Sequence, residues 1–414
     1  MASGHRGNLI GRVRAVTAVA VTRTQVAVVG AGPAGLTVAN LLRAAGIDCV
    51  VIEERSRAFI ERRPRAGFIE EWAVRALDAH GLADRLLRTA QTHDSFEFRV
   101  EGVRHIVRYG ELSGQRHFVY PQQNLVTDLV ASHVGGGGDV RFEVRNVVLH
   151  DLETARPAVT YEDEDGRPRR IECDFVAGCD GARGVSRGYL AAAGRLFATH
   201  DYGIGWLALL AQAPPSAPGV IFGIHPRGFA AHMARSPEIT RFYLQCPPGD
   251  SEENWPEERV HEELRSRLTI PDGEIQLGPL VERRVLDMRN YVVEPMSYGR
   301  LHLAGESAHL VAPIAAKGMN LALHDALLLA AAITAHYEGD DARLAGYSDA
   351  CLRRVWQYQE FSQWLSEIFH GHAADSPANL FHTRLAQARL RRLLKSRTAA
   401  TAFADLYIGK HADF

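Results

Sequence analysis

The stretch Thr24-Gln25-Val26-Ala27-Val28-Val29-Gly30-Ala31-Gly32-Pro33-Ala34-Gly35 sets the reading of the whole chain. A short β-branched run ending on glycine reads as a buried parallel strand. Residues 36–45 continue as a helix, and Cys49-Val50-Val51-Ile52-Glu53 follow as a second strand, which makes a βαβ unit. Within it Gly30, Gly32, Ala34 and Gly35 let the backbone turn tightly and approach a pyrophosphate. The helix beginning near Pro33 aims its N-terminal N–H groups at the same phosphates. Glu53 closes the second strand, where a carboxylate accepts hydrogen bonds from an adenosine ribose. A glycine pattern alone is weak, and it gains specificity from strand, helix and acid in this order.

A second signature lies far downstream: Leu303-Ala304-Gly305-Glu306-Ser307-Ala308-His309. Two cofactor-shaped sites so far apart point to a long dinucleotide gripped from both ends, and FAD fits best. At 414 residues and 46% hydrophobic, the chain can bury a core of two or three packed domains. A formal charge of -2, with no long run of one sign, argues against a nucleic-acid partner. Cys49, Cys173, Cys179, Cys246 and Cys351 lack CxxC spacing and read as incidental thiols in a reducing, cytoplasmic setting, with no metal site. No apolar run approaches the ~20 residues of a membrane span; residues 326–335 are bounded by Asp325 and His336. Residues 1–20, with Arg6, Arg12 and Arg14 before a short apolar patch, read as a disordered N-terminal extension rather than a signal peptide.

The pattern predicts a Rossmann-type α/β cofactor domain over 21–195, completed by 286–325, a sheet-based substrate domain over 196–285 and a helical C-terminal region over 326–414. Residues 95–100 and 140–144 read as antiparallel strands around a helix over 123–133. Residues 171–178 read as one strand leading to Cys179-Asp180-Gly181, and strands follow at 206–210, 220–224, 229–234 and 240–245. Trp356, Tyr358, Phe361, Trp364 and Phe369 form an aromatic stripe that reads as core or subunit interface without a catalytic part.

An ordered series of short motifs joins these features: Arg63-Pro64-Arg65-Ala66-Gly67, Gly178-Cys179-Asp180-Gly181, Gly205-Trp206-Leu207, His225-Pro226-Arg227-Gly228-Phe229, Val293-Glu294-Pro295-Met296, Ala316-Lys317-Gly318-Met319-Asn320 and Cys351-Leu352-Arg353-Arg354. With them the chain resembles the 4-hydroxybenzoate 3-monooxygenase family of single-component FAD-dependent aromatic hydroxylases, from Thr24 to about Gly409. The resemblance implies hydroxylation of a small aromatic carboxylate with O2 and NADPH or NADH through a flavin hydroperoxide, in a homodimer. It places Arg63 at the FAD pyrophosphate, Gln122 at the flavin end, Asp180 between flavin and nicotinamide nucleotide, and Glu306 on the ribityl chain in place of an aspartate. It adds Lys317, Gly318 and Asn320 to the cofactor set, with Asn320 on the isoalloxazine edge, and makes Arg65 a nicotinamide-nucleotide contact. Arg235 and Tyr243 match the residues binding the substrate carboxylate, although a structural ion-pair role for Arg235 is the alternative. Pro313 offers its carbonyl to the ring hydroxyl, Tyr407 belongs to a proton relay, and His93 stands at the relay's solvent end.

Three positions depart from the pattern. Phe222 replaces the tyrosine that passes on the phenolic proton, Met233 a serine at the carboxylate, and Ile314 a pocket threonine. Phenylalanine can neither donate, accept nor relay a proton. Losing an expected polar partner in a buried pocket costs about 1–3 kcal/mol, and two explanations fit: drift within activity on 4-hydroxybenzoate, with water replacing the lost hydroxyl, or a changed substrate activated by an amino group, such as an aminobenzoate or 3-amino-4-hydroxybenzoate, toward which the site leans. Glu54-Arg55-Ser56 follows the ribose glutamate where basic residues select NADPH, which leaves NADH open. A flavin-dependent halogenase would show WxWxIP, absent here. A non-enzymatic nucleotide-binding module would explain Gly30–Gly35 but not the Arg235/Tyr243 pair.

Overall fold

The computed structural model describes residues 19–65, 67–194, 196–370 and 377–410, and the N-terminal extension expected over 1–20 lies almost wholly outside them. The βαβ unit forms as read. Val26–Val29 is fully buried, the helix Pro33–Ala44 starts on the proline, and Cys49–Ile52 pairs in parallel with the first strand. The sheet they seed runs Ser297–Tyr298, Leu301–Leu303, Phe175–Gly178, Val26–Val29, Cys49–Ile52, Asp139–Arg141, parallel except for the outer hairpin. Two readings change here. The strand near residue 140 is not antiparallel but joins this sheet in parallel. The single strand over 171–178 is two: Pro168–Glu172 pairs into a separate four-stranded sheet, and the chain turns at Cys173-Asp174 before Phe175–Gly178.

The substrate half is an eight-stranded sheet in the order His309–Leu310, Leu280–Glu294, Leu196–Ala211, Thr240–Cys246, Ala230–Ala234, Val220–Ile224, Phe96–Val100, Val103–Val107. Its last two strands come from within the segment read as cofactor domain, because Phe96–Val100 finds its parallel partner in Val220–Ile224. Strand alternation divides the sheet's two faces. Leu207, Leu209, Ile221, Ala230 and Phe242 pack on the amphipathic helix Glu257–Leu268 through Val260, Leu264 and Leu268. The other face carries Phe98, Phe222, Ala231, Tyr243, Ala208 and Arg284 in one cross-strand row. It is covered by the C-terminal ends of the helices Tyr347–Phe369 and Arg397–Tyr407.

The helix Gly318–Tyr337 revises another expectation, since it is long and apolar enough to span a membrane by composition. Its apolar residues are mostly buried, packed against the helix Pro33–Ala44 and around the buried Asp325, so its hydropathy belongs to the core.

Candidate active site

A cleft of about 610 Å3 opens at the carboxyl ends of the parallel strands, where ligands of such sheets bind. Its walls gather residues from across the sequence, among them Gly30, Gly32, Ala34, Glu53, Arg63, Arg65, Gln122, Asp180, Glu306 and Gly318. Gly30 sits at φ +105°, and a Cβ there would lie 2.4 Å from the Cys179 carbonyl oxygen; at Gly35 it would lie 2.0 Å from the Gly30 carbonyl oxygen. These two glycines are therefore demanded by chain packing. Gly32 differs: a Cβ would meet no protein atom within 4 Å, so the space beside it is open cleft.

Two helix N-termini face this cleft. The first bond inside Pro33–Ala44 runs from the Leu36 N–H to the Gly32 carbonyl, and inside Gly318–Tyr337 from Leu321 to Lys317, which leaves the earlier N–H groups without helical acceptors. Glu53 accepts hydrogen bonds from the Ala31 N–H and the Arg55 N–H, both at 2.8 Å, which fixes its carboxylate at the rim. Burial, and next the neighbouring guanidinium groups of Arg65 and Arg284, lower the Arg63 pKa against the opposing charge of Glu306. Arg65 also pairs with Glu306 at 3.8 Å, and the guanidinium groups of Arg63 and Arg65 side by side suit a pyrophosphate. Asp180 is held by the Ser186 N–H at 2.9 Å on one oxygen, while the other, buried, has no hydrogen bond. Burial raises its pKa, and a sugar or ribityl hydroxyl is the partner such an oxygen wants. Orphaned acceptor, open glycine, arginine cluster and paired helix ends together fit FAD.

Two cofactor residues are corrected. The Lys317 ammonium, fully buried, turns away from the cleft to Glu70 and to the Tyr407 carbonyl oxygen at 2.6 Å. The reason is Glu70 itself, a fully buried carboxylate that needs a cation. The Asn320 side chain is also spent: Oδ1 accepts from the Glu70 N–H at 2.9 Å, and Nδ2 donates to the Phe68 and Ala316 carbonyls at 3.1 and 3.2 Å. Only its backbone N–H is left for a ligand.

The substrate residues converge on the aromatic face of the eight-stranded sheet. Phe222, Tyr243, Ile314 and Tyr407 share one buried cluster, with Met233 packed at its edge. Four rings pack around Phe222: Phe369 at 4.8 Å between centroids, Phe96 at 5.3 Å, Phe98 at 5.9 Å and Phe229 at 6.2 Å. Phe369, from the stripe read as core or interface, packs directly on Phe222. Arg235 forms no ion pair among the described residues; one nitrogen donates to the Arg65 carbonyl at 3.0 Å. Its pKa is pushed down by burial and then by Arg241. Arg241, which sequence reasoning passed over, lies two residues from Tyr243 on the same strand face, opposite Met233; that alternation was the available signal. Pro313 starts a short 3-10 turn beside the cleft, ending at Ala316 with φ 54°.

His93 is buried with an unbonded Nδ1 and a pKa lowered by burial, but no ring contact joins it to Tyr407. His117, its cross-strand neighbour, packs edge-on at 5.0 Å from Tyr407 and lies 3.2 Å from the Tyr109 hydroxyl, which in turn donates to the His93 carbonyl at 2.6 Å. Tyr109 and His117 thus stand between Tyr407 and His93, linked to Tyr407 by ring packing and to His93 by a hydrogen bond to its backbone carbonyl rather than to its ring.

Residues 23–362 match the FAD binding domain family. The chain is 36% identical over 390 residues to the p-hydroxybenzoate hydroxylase of Acinetobacter baylyi, covering 94% of this chain and 95% of that protein. It is 28% identical over 313 residues to a 3-(3-hydroxy-phenyl)propionate/3-hydroxycinnamic acid hydroxylase of Mycolicibacterium gilvum, covering 74% of this chain and 52% of that longer enzyme. Its fold matches the crystal structure of p-nitrophenol 4-monooxygenase from Pseudomonas putida with a TM-score of 0.80 at 20% identity, over 95% of this chain and all of the other. Aklavinone-11 hydroxylase, solved with FAD and aklavinone, matches with a TM-score of 0.69 at 22% identity, over 85% and 70% of the two chains. Sequence, fold and cleft agree: the chain belongs to the FAD-dependent aromatic hydroxylases of the p-hydroxybenzoate hydroxylase type.

Proposed function

We propose that this hydroxylase acts on a small benzoate whose ring is activated by an amino group, 3-amino-4-hydroxybenzoate being representative. The observation carrying this reading is that Phe222, without a hydroxyl, sits buried among the rings of Phe369, Phe96, Phe98 and Phe229. FAD, when bound, supplies oxygen transfer to the ring from O2 after reduction by NAD(P)H. The protein's share is to bind, orient and exclude water.

Arg235 offers a guanidinium to the carboxylate, which fixes the ring's orientation when engaged through both nitrogens, and Tyr243 supports it from the sheet. Met233 removes a hydroxyl from that end, and Ile314 makes the opposite wall apolar. The Pro313 carbonyl accepts a hydrogen bond equally from a ring O–H or an aniline N–H. A phenol must shed its proton to become fully activated, and Phe222 gives that proton nowhere to go. An amine donates its lone pair to the ring without losing a proton, so a pocket lined by Phe222, Phe369 and Phe96 suffices for it. Arg63, Glu53, Asp180 and the two helix ends hold FAD, while Arg65 and Arg183 meet the nicotinamide nucleotide. Leu380, Phe381 and Leu385, exposed on the helix Pro377–Lys395, support a homodimer.

The second reading is turnover of 4-hydroxybenzoate itself, favoured by 36% identity to an enzyme of that name and by retention of Tyr407. NAD(P)H oxidation with 4-hydroxybenzoate, 3-hydroxybenzoate, 4-aminobenzoate and 3-amino-4-hydroxybenzoate, with products identified by mass, separates the two. The proposal expects coupled hydroxylation chiefly of an amino-substituted ring. Much the highest kcat/KM on 4-hydroxybenzoate would overturn it.

A further inference from the structure

A second cavity, of about 380 Å3, lies outside the FAD cleft, between the paired strands Leu196–Ala211 and Leu280–Glu294 and the helix Tyr347–Phe369. No residue assigned above to cofactor or substrate lines it. Its helical wall is one face, with Trp356, Gln359, Glu360 and Gln363 at i, i+3, i+4 and i+7. The strand wall is lowered by the small side chains of Ala198 and Thr199, which leaves that helical face uncovered. The volume falls in the range of about 300–1,000 Å3 that small-molecule sites occupy.

The lining defines the charge of an occupant. Among the described residues lining the cavity none is lysine or arginine and Glu360 is the one carboxylate, while the Arg187 guanidinium stacks on the ring of the lining Tyr291 at 4.5 Å. Trp356 leaves 42% of its surface exposed one helical turn from Glu360. An aromatic face beside an acid attracts an organic cation, and the same arrangement repels the benzoates of the active site. We infer that this cavity binds a small aromatic ammonium or amidinium compound, its ring in the cavity and its cation between Glu360 and Trp356.

The floor beneath it is already saturated. The Asn290 amide donates to Gln359 Oε1 at 2.6 Å and to the Tyr202 hydroxyl at 2.9 Å, and Gln359 donates to the Leu310 carbonyl at 3.0 Å. Asn290 Oδ1 accepts the Ala312 N–H at 2.7 Å. A guest therefore finds its polar partners at the rim while resting on the support of the chain that leads into Pro313.

The test is calorimetric titration of the FAD-loaded enzyme with tryptamine and, as its anionic counterpart, indole-3-propionate. Tryptamine should bind with a Kd of about a millimolar or tighter, and indole-3-propionate at least tenfold more weakly. Glu360→Gln should weaken tryptamine at least fivefold, and Ala198→Trp should abolish binding by filling the cavity. FAD content and melting temperature of each variant report that it is folded, and Glu360→Gln, at an exposed position, serves alone if Ala198→Trp does not fold. No tryptamine binding, equal binding of the anion, or binding unchanged by Glu360→Gln would overturn the assignment.

Discussion

Single side chains decide what this enzyme accepts. Introducing a hydroxyl by Phe222→Tyr should raise kcat/KM for 4-hydroxybenzoate at least tenfold, about 1.4 kcal/mol and within the range expected for a restored buried hydrogen bond; coupled product formation measures it. At the nucleotide rim, Glu54 lies 3.4 Å from Arg55, whose guanidinium also sits 5.5 Å from the Phe59 ring. Arg55 still lines the cleft, and Glu54 beside it adds a charge that would repel a 2′-phosphate. Glu54→Arg should accordingly shift the NADPH/NADH ratio of kcat/KM toward NADPH by about tenfold, a modest effect because exposed charges are screened. The face that Phe222 takes was legible in sequence because alternation along the strand Val220–Ile224 sets it. Lys317 and Asn320 were not, because a motif gives a residue's position but not its side chain's direction, and the partner that turns them inward, Glu70, sits far away in sequence.

At the level of elements, the glycine loop separates two roles that a sequence pattern merges. Gly30→Ala combines a left-handed backbone with a clash against Cys179, so it should cost stability outright, about 2 kcal/mol or more. Gly32→Ala meets nothing in the protein. It should leave the melting temperature of the FAD-free protein unchanged while weakening FAD at least tenfold, read by fluorescence titration. If both variants lost stability equally, Gly32 would be a packing residue. The βαβ unit was readable because strand, turn and helix are contiguous. The split at Cys173-Asp174 was not, since both halves are β-prone and only their different sheet partners separate them. Residues 95–100 were readable as a strand but not as part of the substrate sheet, for the same reason: pairing over more than 100 residues leaves no local mark.

For the molecule as a whole, buried histidines set the acid limit. Burial lowers the pKa of His370 to about 3 and of His232 and His302 to about 4. His370 stays neutral to accept the Trp206 indole N–H at 2.8 Å. Each is depressed below its unfolded value of about 6.5, so its contribution is complete above that pH and is lost as pH falls. The loss is about 2 kcal/mol per group by pH 5, and a melting temperature well below that at pH 8 is expected. A flat profile between those pH values would show that these rings are solvated.

The paired strands Leu196–Ala211 and Leu280–Glu294 run 16 and 15 residues, from beside the Ala308–Leu310 segment behind the cofactor cleft to the far end of the substrate sheet. They act as a girder, its register shifting between Asp201 and Gly205 and again at its far end between Leu210 and Ala211. A jaw-like closure of the two halves would shear a continuous ladder of hydrogen bonds. The work of admitting and sealing in the aromatic guest must therefore be done by small parts, such as the turn at Pro313 or the bound nucleotide itself, moving within a frame that stays still.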